Sequence, residues 1–228
     1  MRWIEKYRPK DFSQCVGNPD IYRQLEGLAK GTLQTSFSKD IPHFFFYGTP
    51  GTGKTTAAYI LASIIAGDDM DNVTEINASS DRGIEVIKGT VTRAIRNLTL
   101  NGGMRVIIMD ESEGLTPDAQ KAFTRPLEQT GNTVFIFTVN DERKVHDTIR
   151  SRCACFHFKP VDARSISDRL KEILKMEGIT LEEKEILEVA TRAEGDIRRA
   201  INELQKVCAD KMQDAEIAGM VDEMLATT

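Results

Sequence analysis

The stretch that most constrains the fold of this chain covers residues 48–55 and reads GTPGTGKT. It matches the phosphate-binding loop pattern G-x-x-x-x-G-K-[ST] at every fixed position. An apolar run at residues 43–47 precedes the loop and predicts a buried strand, and a helical pattern follows at residues 56–62. Strand, glycine loop and helix are the context that the pattern requires, which disfavours the alternative of a glycine turn that binds nothing.

The loop predicts a site for ATP with Mg²⁺ as its metal. Glycine allows backbone angles that turn several N–H groups toward one point, and the start of the following helix also attracts phosphate. We expect Lys54 to contact the β- and γ-phosphates and the Thr55 hydroxyl to hold Mg²⁺. The nucleotide-binding residues predicted in this stretch are Gly48, Thr49, Pro50, Gly51, Thr52, Gly53, Lys54, Thr55 and Thr56.

A second motif lies at residues 105–111, where four apolar residues run into Asp110 and Glu111. This pattern predicts a buried parallel strand that ends in carboxylates. Behind a phosphate-binding loop, Asp110 is expected to support Mg²⁺ through its water shell. Glu111 is expected to orient the attacking water or accept its proton. The alternative is an ordinary solvated acidic turn.

Strand and helix patterns alternate up to about residue 160 and then change character. The first part predicts an α/β domain with a parallel five-stranded sheet, whose ligand should lie at the carboxyl ends of the strands. Asn77, Asp110, Glu111 and Asn140 fall at such ends. Beyond residue 160, helical periodicity covers residues 162–177, 181–193, 196–209 and 212–226, with breaks at Gly178, Gly195 and Asp210. We therefore predict domains at residues 1–160 and 161–228, the second a small all-helical lid.

Composition narrows the functional classes. The 228 residues contain no apolar run long enough to cross a membrane and no signal-peptide pattern at the start. We expect a protein with no membrane contact, located in the cytoplasm, or in the nucleus if the source is eukaryotic. The formal net charge of −5 argues against a protein that coats DNA through its overall charge. Contact with DNA would need a local basic patch or a ring of several subunits.

Further short motifs point to a family. They occur in the order Glu5-Lys6-Tyr7-Arg8-Pro9, the phosphate-binding loop, Asn77-Ala78-Ser79, Asp110-Glu111-Ser112-Glu113, Ser151-Arg152-Cys153 and Gly195-Asp196-Ile197-Arg198-Arg199. Over nearly its whole length the chain resembles the small subunits of replication factor C, an AAA+ ATPase family of clamp loaders. The resemblance implies a hetero-pentamer with other clamp-loader subunits and ATP bound between neighbours. It also implies that the assembly opens a sliding clamp and sets it on primer–template DNA.

The resemblance also implies roles for single residues. Asn140 resembles sensor 1, which helps to place the attacking water, and Arg198 resembles sensor 2, a lid arginine over the γ-phosphate. Arg152 resembles an arginine finger that reaches the ATP of a neighbouring subunit. Both arginines have an alternative role in surface ion pairs. The adenine end of the site is implied at Tyr7, Arg8, Val16 and Gly17.

The helix that follows Asn77 carries the implied DNA contacts, and Asn77 itself resembles a residue that holds Glu111 inactive until DNA binds. The candidate DNA-binding residues are Arg82, Lys88 and Arg93, for which a solvated helix face is an equally good explanation. The chain departs from the family pattern at Glu113, where aspartate is usual, and at Phe123-Thr124-Arg125-Pro126, where Leu-Arg-Arg is usual. The second departure puts the relay between subunits in doubt.

The chain ends where the family continues into a helical collar, so we expect it to be mostly monomeric and a poor ATPase by itself. Two other functions compete with that of a clamp-loader subunit. One is a DNA-translocating AAA+ motor of the Holliday-junction helicase type. The other is a scaffold subunit that binds ATP without hydrolysing it, which the presence of Lys54, Asp110, Glu111 and Asn140 disfavours.

Overall fold

The computed structural model describes residues 1–31, 41–67, 70–80, 85, 89, 91, 104–128 and 131–226, without the side chains of residues 212 and 214–226. The described chain forms two compact units. Pro9–Lys159 makes up the α/β unit, and Met1–Arg8 together with Pro160–Thr228 makes up the helical unit. The predicted change of character near residue 160 coincides with the junction, but the first eight residues belong to the helical unit and not to the α/β domain in which the sequence prediction placed them.

The α/β unit is built on a five-stranded sheet in the order β2-β3-β4-β1-β5, with every neighbouring pair parallel. The strands are β1 (His43–Tyr47), β2 (Val73–Asn77), β3 (Arg105–Asp110), β4 (Thr133–Val139) and β5 (Cys153–His157). The prediction of a parallel five-stranded sheet is confirmed. Because Asn77 pairs with Asp110 and Tyr47 pairs with Val139, the carboxyl ends of β1, β2, β3 and β4 lie along one side of the sheet.

The helices, in chain order, are α1 (Trp3–Lys6), α2 (Pro19–Ala29), α3 (Lys54–Ala66), α4 (Pro117–Ala122), α5 (Thr124–Glu128), α6 (Asp147–Arg150), α7 (Ala163–Glu177), α8 (Glu183–Arg192) and α9 (Ile197–Ala226). Single 3₁₀ turns lie at Phe12–Gln14, Met70–Asn72, Ser112–Gly114 and Glu142–Lys144. Most of the helix expected after Asn77 lies outside the described residues.

Both faces of the sheet are buried, which explains why its strands are apolar runs and not alternating ones. Successive residues of a strand point to opposite faces. Phe44 and Phe46 of β1 therefore join the cluster that contains Leu25 of α2 and Leu61 of α3, whereas Phe45 joins the opposite cluster. The opposite cluster also contains Phe123, Leu127, Phe135, Phe137 and Ile149.

The segment that starts at Pro117 forms two short helices, and the break between them does not lie at Pro126. The first helix ends at Ala122, and the second starts at Thr124. Pro126 thus lies in the first turn of α5, where a backbone N–H would have no intrahelical partner and its absence costs little. The break falls at Phe123, whose side chain is fully buried in the core.

The helical unit begins with well-formed caps and contains one longer helix than predicted. The Asp162 carboxylate accepts from the Ser165 N–H at 2.9 Å at the start of α7, and Gly178 ends that helix with a φ of 69°. The predicted break at Asp210 is wrong, because α9 runs without interruption over 30 residues. An aspartate inside a helix costs only about 0.7 kcal/mol relative to alanine, far less than a proline would.

Four hydrogen bonds explain why residues 1–8 group with the helical unit. The buried Trp3 donates its backbone N–H to Gln205 Oε1 of α9 at 2.9 Å. Glu177 Oε1 at the end of α7 accepts from Lys6 Nζ at 2.8 Å and from the Tyr7 hydroxyl at 2.7 Å. Arg169 of α7 donates to the Tyr7 carbonyl at 3.1 Å. The two partners of each hydrogen bond are far apart in the sequence, so local patterns could not predict this grouping.

Candidate nucleotide-binding site

The phosphate-binding loop connects β1 to α3 and depends on glycine at defined positions. Gly48, Gly51 and Gly53 have φ angles of 143°, 71° and 97°, in the region that disfavours residues with a side chain. A Cβ atom on Gly48 would lie 2.1 Å from the Phe158 carbonyl oxygen. Within the loop, the Thr52 hydroxyl donates to the Thr49 carbonyl at 2.9 Å. The sequence therefore folds into a tight loop at the carboxyl end of β1.

Lys54 is held by the loop that precedes it. Its side chain is 6% exposed, and its Nζ donates to the carbonyl oxygens of Gly48 and Thr49, each at 2.8 Å. An ammonium group is a compact charge with three donors, a form that suits the binding of phosphate. The loop thus carries a positive charge at the start of α3, where the helix terminus also favours an anion.

Two hydroxyl groups converge on one oxygen of Asp110. The Thr55 hydroxyl donates to Asp110 Oδ1 at 2.9 Å, and the Thr138 hydroxyl donates to the same oxygen. The first contact joins the start of α3 to the end of β3, and the second joins β3 to β4. The donor set contains only oxygen, which Mg²⁺ prefers, and Mg²⁺ sites typically use one or two carboxylates completed by waters and phosphates. Thr55 and Asp110 therefore fit the predicted metal.

Thr138 was not predicted as a site residue. It is the penultimate residue of β4, is 2% exposed and faces Asp110 across the sheet. The signal available in the sequence was a hydroxyl in an otherwise apolar strand, two residues before Asn140. A buried hydroxyl needs a partner, and here that partner is the carboxylate on the neighbouring strand.

Glu111 has a left-handed backbone conformation, with φ 53° and ψ 45°. Its N–H donates to the Thr138 hydroxyl oxygen at 3.3 Å, and its carbonyl accepts from the Gly114 N–H at 2.9 Å. A non-glycine residue in this conformation is uncommon and costs on the order of 1 kcal/mol. The surrounding hydrogen bonds hold the strand-to-turn transition that leaves the Glu111 side chain exposed beside Asp110.

Asn140 follows β4 and is bound by Glu113. Glu113 Oε1 accepts from the Asn140 backbone N–H at 3.1 Å and from its side-chain Nδ2 at 2.8 Å.

Asn77, at the end of β2, has a different partner from the one implied by the resemblance. Its Oδ1 accepts from the Ser79 N–H at 2.9 Å and from the Ser79 hydroxyl at 2.6 Å, so this oxygen stabilises its own turn. Control of Glu111 by Asn77 stays a prediction.

Val16 and Gly17 precede α2, which packs beside the phosphate-binding loop. The hydroxyl of Tyr22 on α2 lies 3.2 Å from the position of a Cβ on Gly53. Asn18 fixes the start of α2, since its side chain exchanges two hydrogen bonds of 3.0 Å with the backbone of Lys159. Contact of Val16 and Gly17 with the adenine end of a nucleotide stays a prediction.

Arg152 lies at the amino ends of the strands, whereas the phosphate-binding loop lies at their carboxyl ends. It immediately precedes β5, whereas the loop follows the carboxyl end of the parallel neighbour β1. A strand of that length separates the two edges by about 16 Å. Arg152 donates from Nη2 and Nε to Glu128 Oε1 at 2.6 and 3.2 Å, and from Nη1 to the Thr148 carbonyl at 3.0 Å. The ion pair expected of a surface arginine is therefore present within the chain.

Three predicted nucleotide contacts lie in the helical unit. Tyr7 is held by Glu177 as described above, Arg8 is exposed, and Arg198 is exposed near the start of α9. The candidate DNA-binding residues Arg82, Lys88 and Arg93 lie outside the described residues. Their role stays a prediction.

Comparisons with known proteins place the chain in a family. Residues 29–162 match the profile described as DNA polymerase III, delta subunit, and residues 168–209 match the one described as RCF1/5-like, AAA+ ATPase lid domain. The replication factor C small subunit of Halobacterium salinarum is 39% identical over 91% of the chain and 63% of that relative. Replication factor C small subunit 1 of Pyrobaculum arsenaticum is 37% identical over 98% of the chain and 67% of that relative. The chain belongs to the replication factor C small-subunit family.

This member of the replication factor C family spans about 63% of the length of the Halobacterium relative and 62% of that of a Thermofilum pendens relative. Two structures of RuvB from Thermotoga maritima share the fold, with TM-scores of 0.74 and 0.71, 18% identity and coverage of 92% of this chain and 67% of theirs. One of these is described as a Holliday junction branch migration motor. At this identity the likeness concerns the AAA+ fold alone. Among the described residues, no helix is long and apolar enough to cross a membrane.

Proposed function

We propose that this chain binds ATP with Mg²⁺ and hydrolyses it as one subunit of a clamp loader. The observation that carries this proposal is the convergence of Lys54, Thr55, Asp110 and Thr138 at the carboxyl edge of a parallel sheet, in a chain of the replication factor C family. A buried ammonium in the phosphate-binding loop, followed by a threonine whose hydroxyl contacts a carboxylate, is suited to a nucleoside triphosphate with a divalent cation.

At the phosphate end of the proposed site, different residues contact the phosphates, the metal and the attacking water. Lys54 and the loop N–H groups bind the β- and γ-phosphates, while Thr55 and Asp110 hold the metal. When bound, Mg²⁺ supplies neutralisation of the charge that develops on the phosphate oxygens. Glu111 accepts a proton from the attacking water, and the Asn140 side chain helps to place that water.

The other proposed contacts follow the family resemblance. Tyr7, Arg8, Val16 and Gly17 contact the adenine end, and Arg198 contacts the γ-phosphate. Arg152 acts on the nucleotide of a neighbouring subunit, a role supported by its distance from the loop of its own chain. Arg82, Lys88 and Arg93 are proposed to contact DNA.

The proposed partners are other clamp-loader subunits in a hetero-pentamer, a sliding clamp and primer–template DNA. The relatives are named as subunits, which supports the first of these partners, and the clamp and the DNA follow the family resemblance. With a net charge of −5, the chain does not attract DNA through its total charge. A local basic surface, repeated in an assembly, is the proposed source of DNA affinity.

The test is ATP turnover in an assembly with the partner subunits, measured with and without sliding clamp and primer–template DNA. We expect the two together to stimulate turnover. Glu111→Gln should retain ATP binding and lower stimulated turnover by at least ~10²-fold, since a general base contributes about that much. Glu188→Gln removes an exposed carboxylate from α8 and serves as the matched control. If ATP turnover does not change when the clamp and DNA are added, the clamp-loader role is contradicted. If Glu111→Gln hydrolyses ATP at the normal rate, the assignment of Glu111 as the general base is contradicted.

A further inference from the structure

The contact between Glu113 and Asn140 has a geometry that fixes one orientation of the Asn140 amide. Glu113 Oε1 receives both the backbone N–H and the side-chain Nδ2 of Asn140, at 3.1 and 2.8 Å. A carboxylate can only accept hydrogen bonds, so the amide must turn its NH₂ group toward Glu113. The carbonyl oxygen Oδ1 of Asn140 is thereby directed away from Glu113.

The carboxylate that makes this contact is partly removed from solvent. Glu113 Oε2 is buried, and within the described ranges it has no hydrogen-bond partner. Removing a charged oxygen from water is costly unless other interactions compensate. Here the compensation comes through Oε1, whose two hydrogen bonds to Asn140 are of the stronger, charge-assisted kind. The arrangement therefore differs from an exposed ion pair, in which both oxygens stay solvated.

The turn that carries Glu113 is also fixed. The Ser112 hydroxyl donates to the Met109 carbonyl at 2.7 Å, and the Gly114 N–H donates to the Glu111 carbonyl at 2.9 Å. A Cβ on Gly114 would lie 2.9 Å from the Ala78 carbonyl oxygen, so this turn packs closely against the residues after β2. Glu113 consequently extends from a backbone that cannot shift easily, and it can transmit that rigidity to Asn140.

We propose that Glu113 is a positioning residue that holds the Asn140 amide with Oδ1 available to accept a hydrogen bond from the attacking water. This inference rests on the proposed role of Asn140 in ATP hydrolysis. In this role Glu113 acts through Asn140 and not on the nucleotide. Its contribution is to remove the rotational freedom of an otherwise exposed amide, which would have to be lost again in each catalytic cycle.

The activity test compares three variants of Glu113 in the assembly with partner subunits. Glu113→Ala should lower kcat about 10-fold or more while ATP binding stays within about 2-fold, because misplacement of a positioned group can cost up to ~10²-fold. Glu113→Gln keeps an oxygen that can accept both hydrogen bonds and should restore most of the loss. Glu113→Asp shortens the reach by one methylene and should be intermediate. An unchanged kcat in Glu113→Ala would overturn the proposal.

A double-mutant cycle separates this proposal from the one on which it rests. If Glu113 acts through Asn140, Glu113→Ala should cause no further loss of kcat in an Asn140→Ala background. Fully additive losses would overturn the positioning role. Normal turnover in Asn140→Ala alone would overturn the role of Asn140, and the inference with it. A slow Asn140→Ala beside a normal Glu113→Ala would overturn the inference only.

A second readout needs no hydrolysis. In ¹⁵N-correlated NMR spectra of the chain, we expect the Asn140 side-chain amide protons to exchange slowly with water and to shift in Glu113→Ala. Glu113→Gln should retain most of that protection. Protection that is equal in wild type and Glu113→Ala would overturn the contact itself, whatever the fate of the clamp-loader proposal.

Discussion

At the scale of single residues, the candidate site depends on charges that are held by neighbours in the fold. The ammonium of Lys54 binds two carbonyl oxygens of its own loop, and the carboxylate of Asp110 receives two hydroxyl groups. Such contacts hold the groups in place before any ligand arrives, so less ordering remains for the binding step.

The prediction at this scale is that Lys54→Ala loses measurable ATP binding while the fold survives. The substitution removes the proposed cation at the β- and γ-phosphates, and charge-assisted contacts to phosphate are among the stronger hydrogen bonds. Lys54 is buried against carbonyl oxygens of its own loop, but the hydrophobic core clusters do not include it. Nucleotide titration and thermal unfolding check the two parts. Lys121→Ala, at an exposed lysine of α4, should bind ATP normally, and unchanged affinity in Lys54→Ala would refute the assignment.

At the scale of elements, a side chain replaces a backbone acceptor in the sheet. The Phe135 N–H of β4 donates to His43 Nδ1 of β1 at 3.1 Å, and His43 is 4% exposed. Burial lowers the pKa of His43 below its ordinary value of 6.5, because a charged imidazolium is disfavoured inside the core. The neutral imidazole thus supports the pairing of two central strands.

This arrangement predicts a loss of stability in mild acid. Because the folded-state pKa of His43 is the lower one, the unfolded chain takes up the proton first as pH falls. The contribution of His43 to the free energy of unfolding is present above pH 6.5 and is lost as pH falls below that value. Denaturant unfolding between pH 5 and pH 7.5, a window chosen around the ordinary histidine pKa, measures the effect.

Two substitutions make that measurement specific. His43→Asn retains an acceptor but does not titrate, so its stability should vary less with pH in this window. His146→Asn removes an exposed histidine that caps α6, and asparagine is also a good cap. This control measures the effect of replacing a histidine outside the core. An identical pH dependence in His43→Asn and wild type would rule out His43 as its source.

At the scale of the whole molecule, the position of Arg152 decides which nucleotide it can serve. Arg152 lies just before β5, at the amino ends of the strands. The phosphate-binding loop follows the neighbouring strand β1, at the carboxyl ends. We expect Arg152→Ala to leave ATP binding by the isolated chain intact and to lower stimulated turnover in the assembly by about 10³-fold, as for other arginines supplied by a neighbour. Arg150→Ala, two residues earlier in the chain and paired with Glu142 and Asp147, is the control.

Mixed assemblies give the sharper form of this test. An Arg152→Ala subunit can be placed on either side of a Lys54→Ala subunit in the assembly. In one order of the two subunits, both substitutions fall in the same shared nucleotide site. In the other order they fall in two different sites. The first order should therefore retain more hydrolysis. Equal loss in both orders, or a defect limited to nucleotide bound by the Arg152→Ala subunit itself, would contradict a role in trans.

The sequence by itself determined the phosphate-binding loop, the strand that ends at Asp110 and the five parallel strands, because each leaves a local pattern of glycines, charges or apolar runs. Local patterns also marked the ends of α7 and α8. Local patterns failed at Asp210, where they predicted a break. Aspartate destabilises a helix only slightly, and α9 continues through this position.

Only the tertiary structure decided which side chains meet. Thr138 on Asp110, Glu113 on Asn140 and Glu128 on Arg152 are contacts between residues more than 20 positions apart in the chain. The grouping of Met1–Arg8 with the helical unit joins opposite ends of the sequence. Hydrophobic periodicity reports only on neighbours within a few residues, whereas these contacts follow from the order and register of the strands and from the packing of helices.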